Sequence, residues 1–181
     1  MNDRIYKIDK SLLYKERLPN PAIDVFRVEH KGKDHVLKLT ANNLAWGRQR
    51  LGRERDILRM AEGVSGITHL VKDYTKEFDF YTQAILKEYF PGENLSMINK
   101  SKISTSAQQK AEEAVRDLHS IGIANLDLKP SDIIISPNGW DSKIVGFGHC
   151  SSYSDDNQYV SKREFDRAKQ KDLYRLESLF R

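Results

Sequence analysis

Two short stretches hold most of the residues in this chain that are able to do chemistry. Asn125-Leu126-Asp127-Leu128-Lys129-Pro130-Ser131-Asp132 brings a carboxylate, an ammonium and a second carboxylate close together. Lys143-Ile144-Val145-Gly146-Phe147-Gly148 follows, and its glycines offer a metal no side-chain oxygen. A carboxylate can take the proton of an attacking hydroxyl, and a cation beside it can neutralise a transferring phosphate. Phosphoryl transfer asks little else of a protein beyond positioning and a metal ion. Two further ionisable residues stand out earlier, Lys38 in Val36-Leu37-Lys38-Leu39 and Glu54 in Glu54-Arg55-Asp56-Ile57-Leu58. Glu54 shares a helical stripe with Gly47, Leu51 and Leu58, where a carboxylate is costly unless it has a partner.

These residues need elements to hold them. Val25-Phe26-Arg27-Val28 and His35-Val36-Leu37-Lys38-Leu39 are β-rich runs joined by Lys31-Gly32-Lys33-Asp34, which reads as a hairpin. A helix is expected from an N-cap at Asn42 or Asn43 to about Gly63. A strand is expected over Tyr81 to Phe90, followed by the turn Pro91-Gly92. A second helix opens at Ser104-Thr105-Ser106, buries Ala111, Ala114, Val115 and Leu118, and stops at Gly122. Ile133-Ile134-Ile135 and Lys143-Ile144-Val145 form a hairpin through Pro137-Asn138-Gly139. Ser151 to Gln158 reads as a mobile polar loop, and Asp166 to Arg181 as a final helix. The fold class is therefore α+β, in one domain over residues 1–181 with a β-rich lobe over about 1–88 and a mainly helical lobe over about 92–181.

This order of elements, with Asp127-Leu128-Lys129-Pro130 ahead of a hairpin, resembles the protein-kinase-like fold over roughly residues 18 to 180. The resemblance implies a role for each residue. Lys38 matches the strand lysine that contacts nucleotide phosphates, and Glu54 the helix glutamate paired with it. Lys87-Glu88-Tyr89-Phe90 matches the adenine-binding hinge, with Glu88 and Phe90 supplying backbone groups. Asp127 matches the general base, and Lys129 the lysine of serine/threonine kinases that reaches the γ-phosphate. Asp172 in Asp172-Leu173-Tyr174-Arg175-Leu176 matches the aspartate that braces the catalytic loop. The implied ligands are ATP and magnesium or manganese, and the implied partner is a protein substrate.

The departures from that pattern matter as much. Asp132 stands where the family has a metal-binding asparagine, and Gly146 where it has the Asp-Phe-Gly aspartate. One carboxylate therefore remains at the metal position, and Asp132 either holds a single ion or caps a turn. Restoring aspartate at Gly146 is expected to restore a ligand if the pocket accepts it. Lys87 occupies the normally apolar gatekeeper position, where it either narrows the adenine pocket or snorkels to water. Leu126 replaces the arginine that receives a phosphorylated activation loop, which argues against that control. Asn125, in place of the usual histidine, is expected to be structural. The phosphate-covering glycines are replaced by Leu18, Asn20 and Ile23. The later large-lobe helices and an Ala-Pro-Glu segment are absent, a shape found among compact bacterial kinases and secreted effector kinases.

Composition narrows the classes. Thirty basic against 26 acidic residues give a charge of only +4, too weak a footprint for a nucleic-acid binder. Arg48, Arg50, Arg53, Arg55 and Arg59 suit either an acidic partner or a solvated helix face. Cys150 is the only cysteine, which rules out an intrachain disulfide and fits a reducing, cytoplasmic compartment, with secretion into a host cell left open. No apolar run approaches membrane-spanning length. His119 and His149 lack a ligand partner at metal-site spacing and are expected to be structural. Two readings stand side by side. One is a minimal serine/threonine-type kinase with weakened metal use, and the other a pseudokinase that acts through partner contacts. A small-molecule kinase on the related sugar- or antibiotic-kinase fold is less favoured, because Lys129 follows the protein-kinase pattern.

Overall fold

The structure is a computed structural model that describes residues 2–20, 23–40, 45–75, 83–153 and 161–181. It is α+β and divides into two compact units, residues 1–56 with 69–89 and residues 57–68 with 90–181.

The first unit is built on an antiparallel sheet. After a short helix α1 (Asn2–Ile8) come β1 (Leu13–Leu18), β2 (Asp24–His30) and β3 (Lys33–Leu39), then α2 (Ala45–Met60), β4 (Leu70–Asp73) and β5 (Ala84–Glu88). The sheet order is β1-β2-β3-β5-β4. Side chains alternate across a strand, and the register here uses both faces. Leu37 and Leu39 pair with Leu86 and Ala84, and these four pack with Ile5, Phe26, Val28 and Tyr74 in one apolar cluster. Val36 and Lys38 pair with Lys87 and Ile85 and so point to the opposite face. Helix α2 turns Gly47, Leu51, Glu54 and Ile57 inward, keeping its arginines mostly outward. Asn42 and Asn43, expected to cap α2, lie outside the described residues.

Several boundaries differ from the sequence expectation. The strand expected to run on to Phe90 ends at Glu88, where the ladder with β3 stops, and Tyr81 lies outside the described residues. Helix α2 closes at Met60, before a turn that leads to Gly63 with φ 86°.

The second unit joins helices to small sheets: β6 (Glu93–Asn94), α3 (Thr105–Ser120), β7 (Ile123–Ala124), β8 (Ile133–Ile135), β9 (Ser142–Ile144), β10 (Ser151–Ser152) and α4 (Lys162–Phe180). Ser104 caps α3 by accepting from the Ala107 N–H. The helix buries Ala107, Ala111, Ala114, Val115 and Leu118, and this small-residue face lets the hairpin come close enough for Ser142 Oγ to donate to the Ala107 carbonyl at 2.7 Å. Gly122 ends the helix at φ 84°, a conformation that favours glycine. Ser151 and Ser152, expected in a loop, instead pair with Ala124 and Ile123. The last helix begins before Asp166, at Lys162, because Ser161 and Glu164 form a reciprocal capping box.

Candidate functional site

In the first unit the residues converge on Glu54. Strand β3 delivers Lys38 and helix α2 delivers Glu54, and the Lys38 ammonium lies 2.8 Å from both carboxylate oxygens. The side chains of Lys38 and Glu54 are 13% and 4% exposed. Burial alone would push the Glu54 carboxyl up, but Lys38 and then Lys87 overcome it and hold the group below its ordinary value.

Lys87 corrects one of the two expectations from the sequence: it does not snorkel, but lies 2% exposed with its ammonium 2.5 Å from Glu54 Oε1. The cause is register. Lys87 stands two residues beyond Ile85, on the face of β5 that also carries Lys38 across the ladder, so its stem is directed toward α2. The sequence signal was a lysine ending the apolar run Ala84-Ile85-Leu86, whose sequence neighbour Glu88 falls on the other face of the strand. Glu88 donates its N–H to the His69 carbonyl at 2.9 Å, so that atom is already committed.

In the second unit, residues 125–129 alternate between outward and inward side chains. Asn125, Asp127 and Lys129 are exposed, while Leu126 and Leu128 are 2% and 1% exposed. The alternation depends on left-handed backbone at Asn125 (φ 56°) and Asp127 (φ 47°), a conformation that Asn and Asp tolerate better than most residues. Asp172 of α4, 4% exposed, accepts the Leu126 N–H at 2.9 Å and contacts His119 Nε2 at 3.1 Å. Arg175 donates to the Leu128 carbonyl at 3.1 Å. The loop is thus held from α3 and α4, and His119 has a structural part in holding it. Leu126 lies in the core where an arginine would have to reach out. Lys129 Nζ and Asp127 Oδ2 stand 3.7 Å apart with both side chains about half exposed. Phe90 belongs to this unit, with the Lys143 ammonium 5.6 Å from its ring centre.

Asp132 caps the turn that follows Lys129, accepting the Lys129 N–H at Oδ2 at 3.0 Å, while its carbonyl takes the Val145 N–H at 2.8 Å. Its carboxylate also lies against Gly146. A Cβ on Gly146 would fall inside contact distance of Asp132 Oδ1 and 2.7 Å from its Cγ. The condition set on restoring aspartate at position 146, that the pocket accept it, requires the Asp132 carboxylate to shift, because that carboxylate lies beside the Gly146 backbone. Among the described residues no group of three or more His, Cys, Asp or Glu side chains could hold a metal ion. Asp132 would offer such an ion one carboxylate, leaving its remaining oxygens to phosphate and water.

No protein-family model matches the chain. It is similar to a probable serine/threonine-protein kinase of Dictyostelium discoideum, 29% identical over 65% of this chain and 9% of that protein. It is also similar to the serine/threonine-protein kinase sax-1 of Caenorhabditis elegans, 29% identical over 54% of this chain and 21% of that protein. MAP kinase-interacting serine/threonine-protein kinase 2 of Xenopus laevis is 26% identical over 56% of this chain and 22% of its own length. The chain spans less than a quarter of each of these curated relatives. Among the described residues no helix is long and apolar enough to cross a membrane. A β-rich part and a helical part, with this distant similarity, make the relationship protein-kinase-like.

Proposed function

We propose that this chain is a protein-kinase-like domain that binds ATP and transfers its γ-phosphate to a serine or threonine of a protein. The observation that supports this reading best is the bidentate contact of Lys38 with Glu54, which orients an ammonium as a phosphate-binding kinase lysine must be oriented. Lys38 contacts the nucleotide phosphates, and backbone around Glu88 to Phe90 holds the base. The Asp127 carboxylate accepts the proton of the substrate hydroxyl as its oxygen attacks the γ-phosphorus and the bond to the bridging oxygen breaks. Lys129 neutralises charge on the transferring group. Asp132 supplies the carboxylate for one magnesium or manganese ion, which when bound offsets phosphate charge.

The test is a thermal-shift titration with ATP, with and without either metal, followed by transfer from γ-labelled ATP to a mixture of serine- and threonine-containing proteins. Nucleotide at about 100 times its Kd adds roughly 2.7 kcal/mol of stability. Transfer that disappears in Asp127→Asn supports the reading, and no stabilisation at millimolar ATP with either metal overturns it.

A second reading, a partner-binding module without phosphotransfer, is favoured by Gly146, which has no side-chain oxygen to offer a metal at its position. ATP binding without transfer, with partner binding undisturbed by Asp127→Asn, selects it.

A further inference from the structure

Glu54 carries one negative charge and receives two ammonium groups. Lys38 Nζ reaches both of its oxygens, Lys87 Nζ reaches Oε1, and Lys87 and Glu54 are almost wholly buried. With all three ionised, the cluster holds a surplus positive charge where water screens it poorly. Among the described residues, the elements packed around Lys87 carry the following groups. Strand β3 contributes Lys38, and β4 places Leu70 opposite Lys87. The acid on that face of β4, Asp73, accepts the Thr75 N–H at 2.8 Å and has Arg55 Nε at 3.9 Å. On β5 itself, the neighbouring Glu88 points to the other side of the strand.

A buried cluster with surplus positive charge is relieved either by loss of a proton or by arrival of an anion. Burial pushes the Lys87 ammonium down to about 7, against the attraction of Glu54 and with the repulsion of Lys38. Near neutral pH Lys87 Nζ therefore gains and loses its proton readily.

We infer that Lys87 is a positioning residue, whose ammonium holds Glu54 when Lys38 engages a nucleotide phosphate, so that phosphate binding draws a proton from solvent onto Lys87 Nζ. This rests on the nucleotide reading above and adds to it a coupling between nucleotide affinity and pH. Binding linkage is reciprocal, so a phosphate that favours protonated Lys87 is itself bound more tightly when Lys87 is protonated. Affinity therefore falls as pH rises above neutrality, with a slope approaching about tenfold per pH unit. Below that range, Lys87 is already charged and the slope flattens.

The experiment is calorimetric titration of the whole chain with magnesium ATP at several pH values from mildly to distinctly alkaline, where the nucleotide's own terminal phosphate no longer titrates. Each titration is run in two buffers of different ionisation enthalpy. The expected result is uptake approaching one proton per nucleotide together with the falling affinity. Lys87→Met is expected to bind with an affinity independent of pH and with no proton uptake. Nucleotide bound without proton uptake by the unaltered chain, or the same slope in Lys87→Met, overturns the role of Lys87 while leaving the nucleotide reading intact. Absence of binding at every pH overturns both. Because the buffer comparison is made on the unaltered chain, it decides the matter even if Lys87→Met fails to fold.

Discussion

The two units treat charge in opposite ways. Around Glu54 three ionisable groups are buried together, with the nitrogens of Lys38 and Lys87 each within 2.8 Å of a Glu54 oxygen. At Asp127 and Lys129 one carboxylate and one ammonium stand 3.7 Å apart, about half exposed, on a loop whose fixing is done by Leu126 and Leu128 beneath. A buried charge depends on its partners for its existence, whereas an exposed one is solvated whether or not its partner is present. The first unit should therefore register substitutions as changes in stability, and the second as changes in activity.

Glu54→Ala breaks that contrast most forcefully. It strands two ammonium groups in the face of the sheet, and removal of one member of a buried pair costs about 3–5 kcal/mol. Urea denaturation is expected to show a loss in that range. A change as small as that of a surface substitution would mean that α2 does not close on the sheet in solution.

Gly146→Asp comes next and falls in the unit where the site is otherwise exposed. Its new Cβ meets the Asp132 carboxylate, so overpacking is expected to cost about 1–3 kcal/mol with no gain in magnesium affinity. Combining it with Asp132→Asn removes the charge repulsion between the two side chains and is expected to recover part of that stability and to tighten metal binding. Equal metal affinity in the single and double variants would show that the two positions are independent.

Lys87 sharpens the comparison through pH. Its folded-state value of about 7 lies below the ordinary 10.5, so between those limits the unfolded chain holds the proton and the folded chain does not. Stability is therefore lowest at and below pH 7 and rises toward pH 10, by at most about 1.4 kcal/mol per pH unit. Denaturation curves collected across that window are expected to show the rise in the unaltered chain and to lose it in Lys87→Met.

Asp127→Asn should have the smallest effect on stability. The pair it breaks is exposed, and asparagine tolerates the left-handed backbone at this position, so a change within about 0.5 kcal/mol is expected. Phosphotransfer, where the chain performs it, is expected to disappear. A large loss of stability would mean that the charge holds the loop and that the contrast between the units is wrong.

Much of this arrangement could be read from residue types, because the signals were local. Glu54 on an apolar helical stripe demanded a partner, and Lys38 on an alternating strand was available to supply it. Helix α3 was legible from Ser104, its alanine stripe and Gly122. Strand β1 was not, since Leu13–Leu18 is exposed or half-exposed throughout and carries no alternation for a pattern to report. The inward course of Lys87 depends on a cross-strand register set by partners far away in sequence, and a lysine in a strand ordinarily reads as one that reaches water. The contact between Asp132 and Gly146 is likewise a matter of hairpin geometry, and nothing in either residue type announces it. Asp132 proved to be a turn cap at one oxygen, which leaves its part in metal binding a matter of proposal.

The bond from the Leu126 N–H to Asp172 has a consequence on the timescale of local opening. This amide lies in the middle of an otherwise exposed loop, yet its acceptor is on a helix 46 residues further along the chain and almost inaccessible to water. Exchange of its hydrogen with solvent requires that α4 first release the carboxylate, so the amide should exchange with the slow population of the helix rather than the fast one of its neighbours. The free energy of that opening sets the fraction of time for which the loop holds this shape, which makes α4 the element that governs where Asp127 stands.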